Sequence, residues 1–520
     1  MKITPKKSLF TIFRPIPLCT TAHLRSIEQR YRHLPLMARA GKAAADFIMA
    51  RFPDILAKEN PTVVLCGPGN NGGDGLVVAY HLGAAGVNVY TIAPMIEKFS
   101  QDAQNALHTF LSGGATLDRT SSPFLPSVPK APALIIDALF GIGLTRAPMT
   151  PFSEWIVWAN TLRQTRHVPI VSLDIASGLE SDTGFAHLPT ISASATISFI
   201  AAKSGAFTLD GPDHSGEVHL ATLDLPEEAW QETQGELLAE TALTKLFPQI
   251  LRRSCRNTHK GTFGTLGIIG GSESMTGAAI IAGRAAQGLG AGKVRVGFCA
   301  DAPPSFDPVC PELMLTDADT LLTQSCDAWV VGCGLGIHRR AETTLEKITA
   351  SKQPLLLDAD ALILLGRNAE IAKHIQERAA PTLLTPHPAE AARLLQCDTN
   401  TVQRDRVTAA RMIAERYNAH TLLKGNGSII ASPDGRYAIN TTGSPALSFG
   451  GSGDALSGMI GALLAQSVEA STALRFAVCL HGAAADAWED RQQGRVGLTS
   501  AALLAQAQKI INKLAGNDQS

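Results

Sequence analysis

Short apolar runs alternate with longer segments of mixed apolar and polar residues along most of the chain. In the first half these runs predict strands at residues 62–66, 88–93, 133–137 and 170–174. In the second half they predict strands at residues 265–270, 293–298, 328–332, 354–358, 382–386 and 420–424. Continuous apolar runs separated by helical segments are typical of parallel strands buried on both faces. The pattern therefore predicts an α/β fold, with ligands at the carboxyl ends of the strands.

The alternation weakens over residues 246–261, where basic residues cluster. We place a domain boundary near residue 250, which gives domains at 21–245 and 250–516. The first 20 residues are expected to form a flexible extension, because Arg14, Pro15 and Pro17 interrupt their only apolar patch.

Composition narrows the functional classes. The 520 residues carry a net charge of −1, and 45% of them are apolar, so we expect a globular protein without affinity for nucleic acid or membranes. The nine cysteines show no spacing typical of a zinc site, which favours free thiols and a cytoplasmic location. Assembly into a homo-oligomer remains open.

The segment GPGNNGGDG (67–75) matches the glycine spacing of a dinucleotide-binding turn. A turn that contacts phosphate only through its backbone has no need of Asn70, Asn71 and Asp74. Helix capping accounts for one such side chain but poorly for three. Carboxamide and carboxylate oxygens bind cations and sugars, so the turn predicts a ligand site with side-chain contacts.

Two further strand ends in the first half carry polar residues. Asp137 precedes a glycine-containing loop, and Asp174 precedes Ser177. An aspartate after a strand is often only a turn residue. Three such loops at one sheet edge instead predict a cation and a general acid–base group close together.

The second half carries FGGSGDAL (449–456), in which Asp454 follows a glycine-rich turn and opens an apolar helix. Free amides at a helix N-terminus stabilise a transferring phosphoryl group, and Asp454 can accept the proton of an attacking hydroxyl. LLKGNGS (422–428) offers a second glycine-rich turn for a nucleotide. His387 lies between two prolines at a strand end, although a single histidine is more often structural.

The first-half motifs GPGNNGGDG, DALFGIGL, LDIASGL and AAKSG resemble the YjeF N-terminal family, the NAD(P)H-hydrate epimerases. The resemblance implies a Rossmann-like three-layer domain, a potassium ion at Asn71, Asp137 and Ser177, and Asp174 as the acid–base group acting at carbon 6 of the hydrated ring. It matches Lys203 to a family lysine, with a solvated surface lysine as an equal alternative. The resemblance implies that the hydrated nucleotide is bound by Asn70, Asn71, Gly72, Gly73, Asp74, Gly141, Ile142, Gly143, Leu144, Thr145, Arg146, Ala147 and Asp174.

The second-half motifs HKG, GLG, DADAL, TPHPAE, LKGNG and GGSGD resemble the YjeF C-terminal family of the ribokinase superfamily, the ADP- or ATP-dependent NAD(P)H-hydrate dehydratases. Cys333 stands where that family usually has proline. The resemblance implies a ribokinase-like α/β domain that uses Mg²⁺, with Asp454 as the catalytic base. It implies that the hydrated nucleotide contacts Ala278, Gly336, His387 and Asp454. It implies that ADP or AMP contacts Lys424, Gly425, Asn426, Gly427, Ser428 and Gly453.

Together the resemblances imply a bifunctional repair enzyme for NADHX and NADPHX. One domain interconverts the R and S epimers, and the other dehydrates the S epimer with ADP or ATP. The alternative is a small-molecule kinase of the ribokinase superfamily, such as a vitamin-precursor kinase, with a non-catalytic N-terminal binding domain. A plain dehydrogenase ranks third because of the side chains in the first turn.

Overall fold

The computed structural model describes residues 16–56 and 59–516, which divide into two units after Glu236. The strands of the first unit are β1 (Ile16–Leu18), β2 (Thr62–Cys66), β3 (Val89–Ile92), β4 (Leu117–Asp118), β5 (Leu134–Ala138), β6 (Ile170–Leu173), β7 (Ala195–Phe199) and β8 (Glu217–Ala221). Its helices are α1 (Thr21–Arg30), α2 (Leu36–Arg51), α3 (Asn70–Ala84), α4 (Gln101–Ser112), α5 (Phe152–Arg166) and α6 (Gly211–Ser215). A short strand, β9 (Gly235–Leu238), spans the division.

The first unit contains a parallel sheet in the order β4-β3-β2-β5-β6-β7-β8. This is the Rossmann order, in which the chain reverses direction between β2 and β5 and leaves a crevice at their carboxyl ends. Val63 and Leu65 belong to the core on one face of the sheet, whereas Val64 and Cys66 belong to the core on the other. Side chains alternate across a strand, so an unbroken apolar run is needed to bury both faces.

The helices of the second unit are α7 (Ala242–Leu246), α8 (Thr276–Gly288), α9 (Ala318–Leu322), α10 (Arg339–Thr349), α11 (Asp360–Arg367), α12 (Ala369–Glu377), α13 (Pro388–Leu395), α14 (Thr399–Arg404), α15 (Arg406–Tyr417), α16 (Ser452–Ala465), α17 (Ala470–Gln492) and α18 (Ser500–Gly516). Its further strands are β10 (Thr265–Gly270), β11 (Lys293–Phe298), β12 (Met314–Asp317), β13 (Ala328–Val331), β14 (Leu355–Leu357), β15 (Thr382–Leu384), β16 (His420–Leu423), β17 (Ile429–Ala431) and β18 (Tyr437–Asn440).

These strands lie in the order β18-β17-β16-β15-β14-β13-β10-β11-β12. Strands β10 to β16 pair in parallel, and β16, β17 and β18 form an antiparallel edge. The direction of winding reverses between β10 and β13, which sets a crevice at their carboxyl ends. The predicted α/β class is confirmed, and all ten predicted strands are present within a residue or two of their predicted ends.

The division lies earlier than the boundary near residue 250. Leu243, Phe247 and Leu251 all belong to the core of the second unit. The ring of Phe247 packs edge-to-face on Phe476, with ring centroids 5.9 Å apart. The segment that looked like a linker is therefore part of the second unit, because its scattered apolar residues bury against α17.

The predicted extension at 1–20 falls largely outside the described residues. Its last part differs from the prediction, because Ile16–Leu18 form β1 with Ile16 and Leu18 buried. The amide of Cys19 donates to the carbonyl of Ala202 at 3.0 Å, which fixes this segment beside the end of β7. Over the described part of the chain, no helix combines the length and apolar character needed to cross a membrane.

Candidate active sites

The turn between β2 and α3 needs glycine because other parts of the backbone pass very close to it. A Cβ atom on Gly67 would lie 1.7 Å from the carbonyl oxygen of Leu139, and one on Gly72 would lie 2.0 Å from that of Gly67. Neither position accepts a larger residue without moving the backbone. The turn thus holds the N-terminus of α3 against the loop after β5, with its amides at the sheet crevice.

Asn71 is the clearest sign of a ligand in the first unit. Its side chain is buried, and neither its amide oxygen nor its nitrogen has a hydrogen-bond partner among the described residues. A Cβ atom on Gly141 would lie 3.5 Å from Cβ of Asn71 and 3.3 Å from Oδ2 of Asp174. The structure thus brings these three predicted residues together. A buried unpaired amide costs about 1–3 kcal/mol, so a ligand that binds it is favoured.

Asp137 at the end of β5 and Ser177 after β6 belong to one hydrogen-bonded network. The fully buried Asp137 carboxylate accepts hydrogen bonds from Ser177 Oγ at 2.6 Å, from the Ser177 amide at 2.9 Å and from Ser172 Oγ at 2.8 Å. Burial raises the pKa of Asp137, and these donors oppose the rise. The oxygens of Asn71, Asp137 and Ser177 are the hard donors that an alkali cation prefers, so they fit the potassium site that the resemblance implies.

Asp174 follows β6 in a left-handed conformation, with φ of 67°. Its carboxylate accepts a very short hydrogen bond from Lys203 Nζ, which also donates to the Phe199 carbonyl at 2.8 Å. The Lys203 side chain is only 2% exposed, so the interpretation as a solvated surface lysine is wrong. Lys203 holds a partly exposed carboxylate in the crevice, which suits an acid–base group.

Asp74 lies one helical turn after Asn71 and close to Asp174. Burial raises the pKa of Asp74 well above its usual range, and the nearby carboxylates of Asp174 and Glu28 raise it further. Glu28 on α1 is a neighbour that the sequence patterns did not indicate. Asn70 is engaged at the surface, since its Oδ1 accepts a hydrogen bond from Ser100 Oγ at 2.5 Å. The predicted ligand loop Gly141–Ala147 follows β5 and is largely exposed.

In the second unit, Asp454 lies in the first turn of α16, after Gly451 with φ of 97°. The buried Asp358 accepts hydrogen bonds from Lys424 Nζ and Ser457 Oγ, both at 2.7 Å. A Cβ atom on Gly453 would lie 3.6 Å from Lys424 Nζ. Asp358 therefore fixes the predicted nucleotide lysine against the predicted glycine turn, a link that the sequence patterns did not reveal.

The pKa of Asp454 is raised by burial and by the neighbouring Asp358, whereas a hydrogen bond with the Cys333 thiol and the charge of Lys424 lower it. Cys333 is itself buried, and its pKa is raised well above normal, mainly by burial. It therefore remains a neutral thiol. The arrangement keeps Asp454 a stronger base than an exposed carboxylate, as a proton acceptor for a hydroxyl requires.

The turn after β16 has the left-handed glycines that a phosphate loop needs. Gly425 has φ of 140° and Gly427 has φ of 62°, while Ser428 Oγ donates to the Gly425 carbonyl at 3.0 Å. Arg406 lies buried behind the turn and donates to the Lys424 carbonyl at 3.3 Å. The five predicted residues Lys424–Ser428 thus form one loop, held together by the hydrogen bond between Ser428 Oγ and Gly425.

Ala278 packs against Gly334 of the glycine turn that follows β13, and Gly336 belongs to the same turn. A Cβ atom on Gly334 would lie 3.2 Å from Cβ of Ala278, and the Gly336 amide donates to Asp360 at 2.8 Å. His387 is also at a carboxyl edge, but its Nδ1 accepts from the Ala389 amide at 3.1 Å and its Nε2 lies 3.1 Å from Glu390. Nδ1 is thus used to cap α13, and Nε2 faces the Glu390 carboxylate.

His481 is a second residue that the sequence analysis missed. It lies on α17 beneath the first turn of α16, with Nε2 at 3.1 Å from the Ser452 carbonyl. Burial lowers its pKa to about 4, so it is a neutral donor that supports the turn. Only the packing of α17 on α16 reveals it, because nothing in the neighbouring sequence marks this histidine as part of the site. Among the described residues, no group of three or more His, Cys, Asp or Glu is arranged to hold a metal ion.

Comparison with known proteins finds a matching family for each half of the chain. Residues 33–205 match the family described as YjeF-related protein N-terminus, and residues 266–509 match the NAD(P)H-hydrate dehydratase family. The bifunctional NAD(P)H-hydrate repair enzyme Nnr of Escherichia coli (strain K12) is 36% identical over 485 residues, which cover 92% of this chain and 89% of that protein. The corresponding enzyme of Coxiella burnetii is 34% identical over 498 residues, covering 94% and 96%.

Two relatives match the second unit. The ADP-dependent (S)-NAD(P)H-hydrate dehydratase of Neisseria meningitidis is 42% identical over 288 residues, which cover 54% of this chain and 96% of that protein. A crystal structure of the Bacillus subtilis ADP/ATP-dependent dehydratase, co-crystallised with ATP and Mg²⁺, is 30% identical and covers 54% of this chain and 98% of its own, with a TM-score of 0.47. Because similarity to the two-domain relatives extends over nearly the whole sequence, the chain belongs to the family of bifunctional NAD(P)H-hydrate repair enzymes.

Proposed function

We propose that the first unit interconverts the R and S epimers of NADHX and NADPHX, and that the second unit dehydrates the S epimer with ADP or ATP. The observation that carries this proposal is that each unit sets an aspartate beside a glycine-turn helix N-terminus at its sheet crevice: Asp174 near α3 and Asp454 on α16. A binding module without catalysis has no need of either arrangement.

In the first unit, the amides at the start of α3 and the loop Gly141–Ala147 bind the nucleotide, while Asp174 moves a proton at carbon 6. Lys203 orients Asp174. Its ammonium group is buried, so it needs the carboxylate of Asp174 as a counter-charge. Asn70, Gly72, Gly73 and Asp74 complete the ligand surface of α3.

In the second unit, Asp454 accepts the proton of the carbon 6 hydroxyl as that oxygen attacks the terminal phosphorus of the nucleotide. With ADP the leaving group is AMP. The C6–O bond then breaks with its electron pair leaving on phosphate, a proton leaves carbon 5, and the new C5=C6 double bond restores the dihydronicotinamide. Lys424 and the turn residues Gly425, Asn426, Gly427, Ser428 and Gly453 hold the nucleotide. Ala278, Gly336 and His387 line the side of the hydrated ring.

Magnesium suits the second site as a companion of the nucleotide, because Mg²⁺ usually binds through substrate phosphates and one or two carboxylates. Asp358, Asp360 and Asp454 are neighbouring carboxylates, and one or two of them would hold the ion together with the phosphates. The ion supplies charge neutralisation for the phosphates, and the residues named above do the positioning.

The direct test mixes both epimers of NADHX with the protein, magnesium and ADP, and follows dihydronicotinamide absorbance. We expect complete recovery, faster than epimers interconvert in buffer. Recovery of the S fraction alone contradicts epimerisation by the first unit. No recovery, together with phosphorylation of another alcohol, favours the kinase of the ribokinase superfamily.

We propose that potassium binds at Asn71, Asp137 and Ser177 and orders the turn before α3. Asn71→Leu removes one oxygen ligand, so we expect potassium to raise the melting temperature of the wild-type protein but not that of the variant. Epimerisation should fall about tenfold, as for other altered metal sites. Asn105→Leu, at an exposed position of α4, is the matched control. An equal potassium-dependent rise in both proteins contradicts the site.

A further inference from the structure

Lys424 in the second unit has a fixed backbone but a long side chain that needs a separate restraint. Its amide donates a hydrogen bond to the Pro386 carbonyl at 2.9 Å, and its carbonyl accepts one from Arg406 at 3.3 Å. A lysine ammonium group stands on a flexible four-carbon stem, so these backbone contacts do not fix where it lies. A group that is to meet the same phosphate in every reaction cycle therefore needs a partner of its own.

The carboxylate of Asp358 is that partner. Its Oδ1 accepts hydrogen bonds from Lys424 Nζ at 2.7 Å and from the Ala359 amide at 2.9 Å, while its Oδ2 accepts one from Ser457 Oγ at 2.7 Å. A Cβ atom on Gly453 would lie 3.6 Å from Lys424 Nζ and 3.9 Å from Oδ2 of Asp358. The ammonium group and the carboxylate thus lie together beside the first turn of α16.

A ligand has access to Lys424 but hardly to Asp358. The Asp358 side chain is only 2% exposed and both of its oxygens already accept hydrogen bonds, whereas the Lys424 side chain is 22% exposed. An ammonium group has three N–H donors, and Lys424 Nζ makes no second hydrogen bond in the part of the chain that the structure describes. Its other donors therefore remain for phosphate oxygens, with Asp358 behind them.

Asp358 also ties Lys424 to the helix that carries the proposed base. Ser457 comes three residues after Asp454 on α16, so the two side chains lie on the same helix face. One carboxylate at the end of β14 thus contacts both the nucleotide lysine and this helix. Phosphoryl transfer depends on the alignment of the attacking oxygen with phosphorus, and a displacement of about 1 Å costs about 100-fold in rate.

We propose that Asp358 is a positioning residue of the second site. It holds the ammonium group of Lys424 beside α16, so that the terminal phosphate bound by Lys424 meets the hydroxyl group that Asp454 deprotonates. It acts through Lys424 and contacts neither the nucleotide nor magnesium, which leaves Asp360 and Asp454 for the ion. The inference rests on the proposed dehydratase function and adds the residue that aligns its two substrates.

The test follows dehydration of the pure S epimer of NADHX by the full chain with magnesium and ADP. Asp358→Asn keeps the shape of the side chain but lacks the charge that holds the ammonium group. It should lower kcat/KM for ADP about 100-fold and leave KM for the S epimer unchanged. The magnesium concentration that gives the half-maximal rate at saturating ADP should also stay the same. Asp490→Asn, exposed on α17, is the matched control and should behave as the wild type.

A double-mutant cycle separates positioning from a general structural role. Lys424→Met should lower kcat/KM for ADP at least as much as Asp358→Asn does. Adding Asp358→Asn to Lys424→Met should cost less than about twofold more, because residues that act as one unit are not additive. Losses that multiply in the double variant overturn the inference. So does an Asp358→Asn variant with wild-type kinetics for ADP, or one whose magnesium requirement rises about tenfold.

Ser457→Ala decides the case if the asparagine variant does not fold. It removes one hydrogen bond from Asp358 but no charge, so kcat/KM for ADP should fall about fivefold, and an unchanged value overturns the inference. A wild-type protein that does not dehydrate the S epimer overturns the dehydratase function instead. Calorimetry of ADP binding without the epimer then still tests the inference. Asp358→Asn should weaken that binding about tenfold, and equal binding contradicts the role.

Discussion

Asp454→Asn should lower ADP-driven dehydration of the S epimer by about 10²–10⁴-fold, the range for loss of a general base. Asparagine keeps the shape of the side chain but cannot accept the hydroxyl proton. Nucleotide binding should persist, because Lys424 and the turn amides remain in place. The measurement is the rate of dihydronicotinamide formation from pure S epimer. Epimerisation without nucleotide should be unchanged, since it takes place in the other unit.

Asp434→Asn is the matched control, because Asp434 pairs with Arg436 at the surface near the β17–β18 turn. It should dehydrate at the wild-type rate. The raised pKa of Asp454 adds a second readout. The base must be ionised, so the wild-type rate should fall as pH decreases, and this fall should begin above the ordinary range for an aspartate. An Asp454→Asn variant with near wild-type dehydration would falsify the role.

Asp174→Asn should abolish epimerisation by a similar factor and leave dehydration of the S epimer intact. With a mixture of epimers, dihydronicotinamide should form from the S epimer at the normal rate. It should form from the R epimer only as fast as that epimer converts to the S form in buffer. Asp213→Asn, exposed on α6, is the control that should retain full recovery.

Asp174→Asn also leaves Lys203 buried without its counter-charge. Breaking a buried pair in this way costs about 3–5 kcal/mol, so the variant should unfold at lower denaturant. The double variant Asp174→Asn with Lys203→Met removes the unpaired charge and should regain stability without regaining activity. Recovery of epimerisation in the double variant would show that Asp174 acts only through folding.

Much of the fold was predictable because its signals are local. Unbroken apolar runs such as 62–66 and 265–270 became central parallel strands with the predicted bounds. The edge strands β8 and β12 were not predicted. Their residues are partly exposed and show no clear alternation of apolar and polar positions. The boundary was placed too late for a related reason. Phe247 shows that it belongs to the second core only through contact with Phe476.

The residues of the candidate sites also fall into two groups, those predictable from local sequence and those that only packing reveals. Asn71, Asp174 and Asp454 could be predicted as functional residues from the sequence. Each lies in or beside a glycine-containing turn that carries more polar side chains than the turn itself needs. The partners Lys203, Asp358 and His481 come from distant segments, and their burial and pairing depend on packing. His387 stays a predicted ligand contact, and only the structure shows that its Nδ1 also caps a helix.

The amino-acid sequence by itself determined the two parallel α/β units, their glycine turns and the aspartates at the strand ends, since each follows from a few neighbouring residues. Only the tertiary structure decided which charges are buried together and which amide lacks a partner. It alone fixed Lys424 beside Gly453. Desolvation and pairing depend on atoms far apart in the chain, and no local pattern records them.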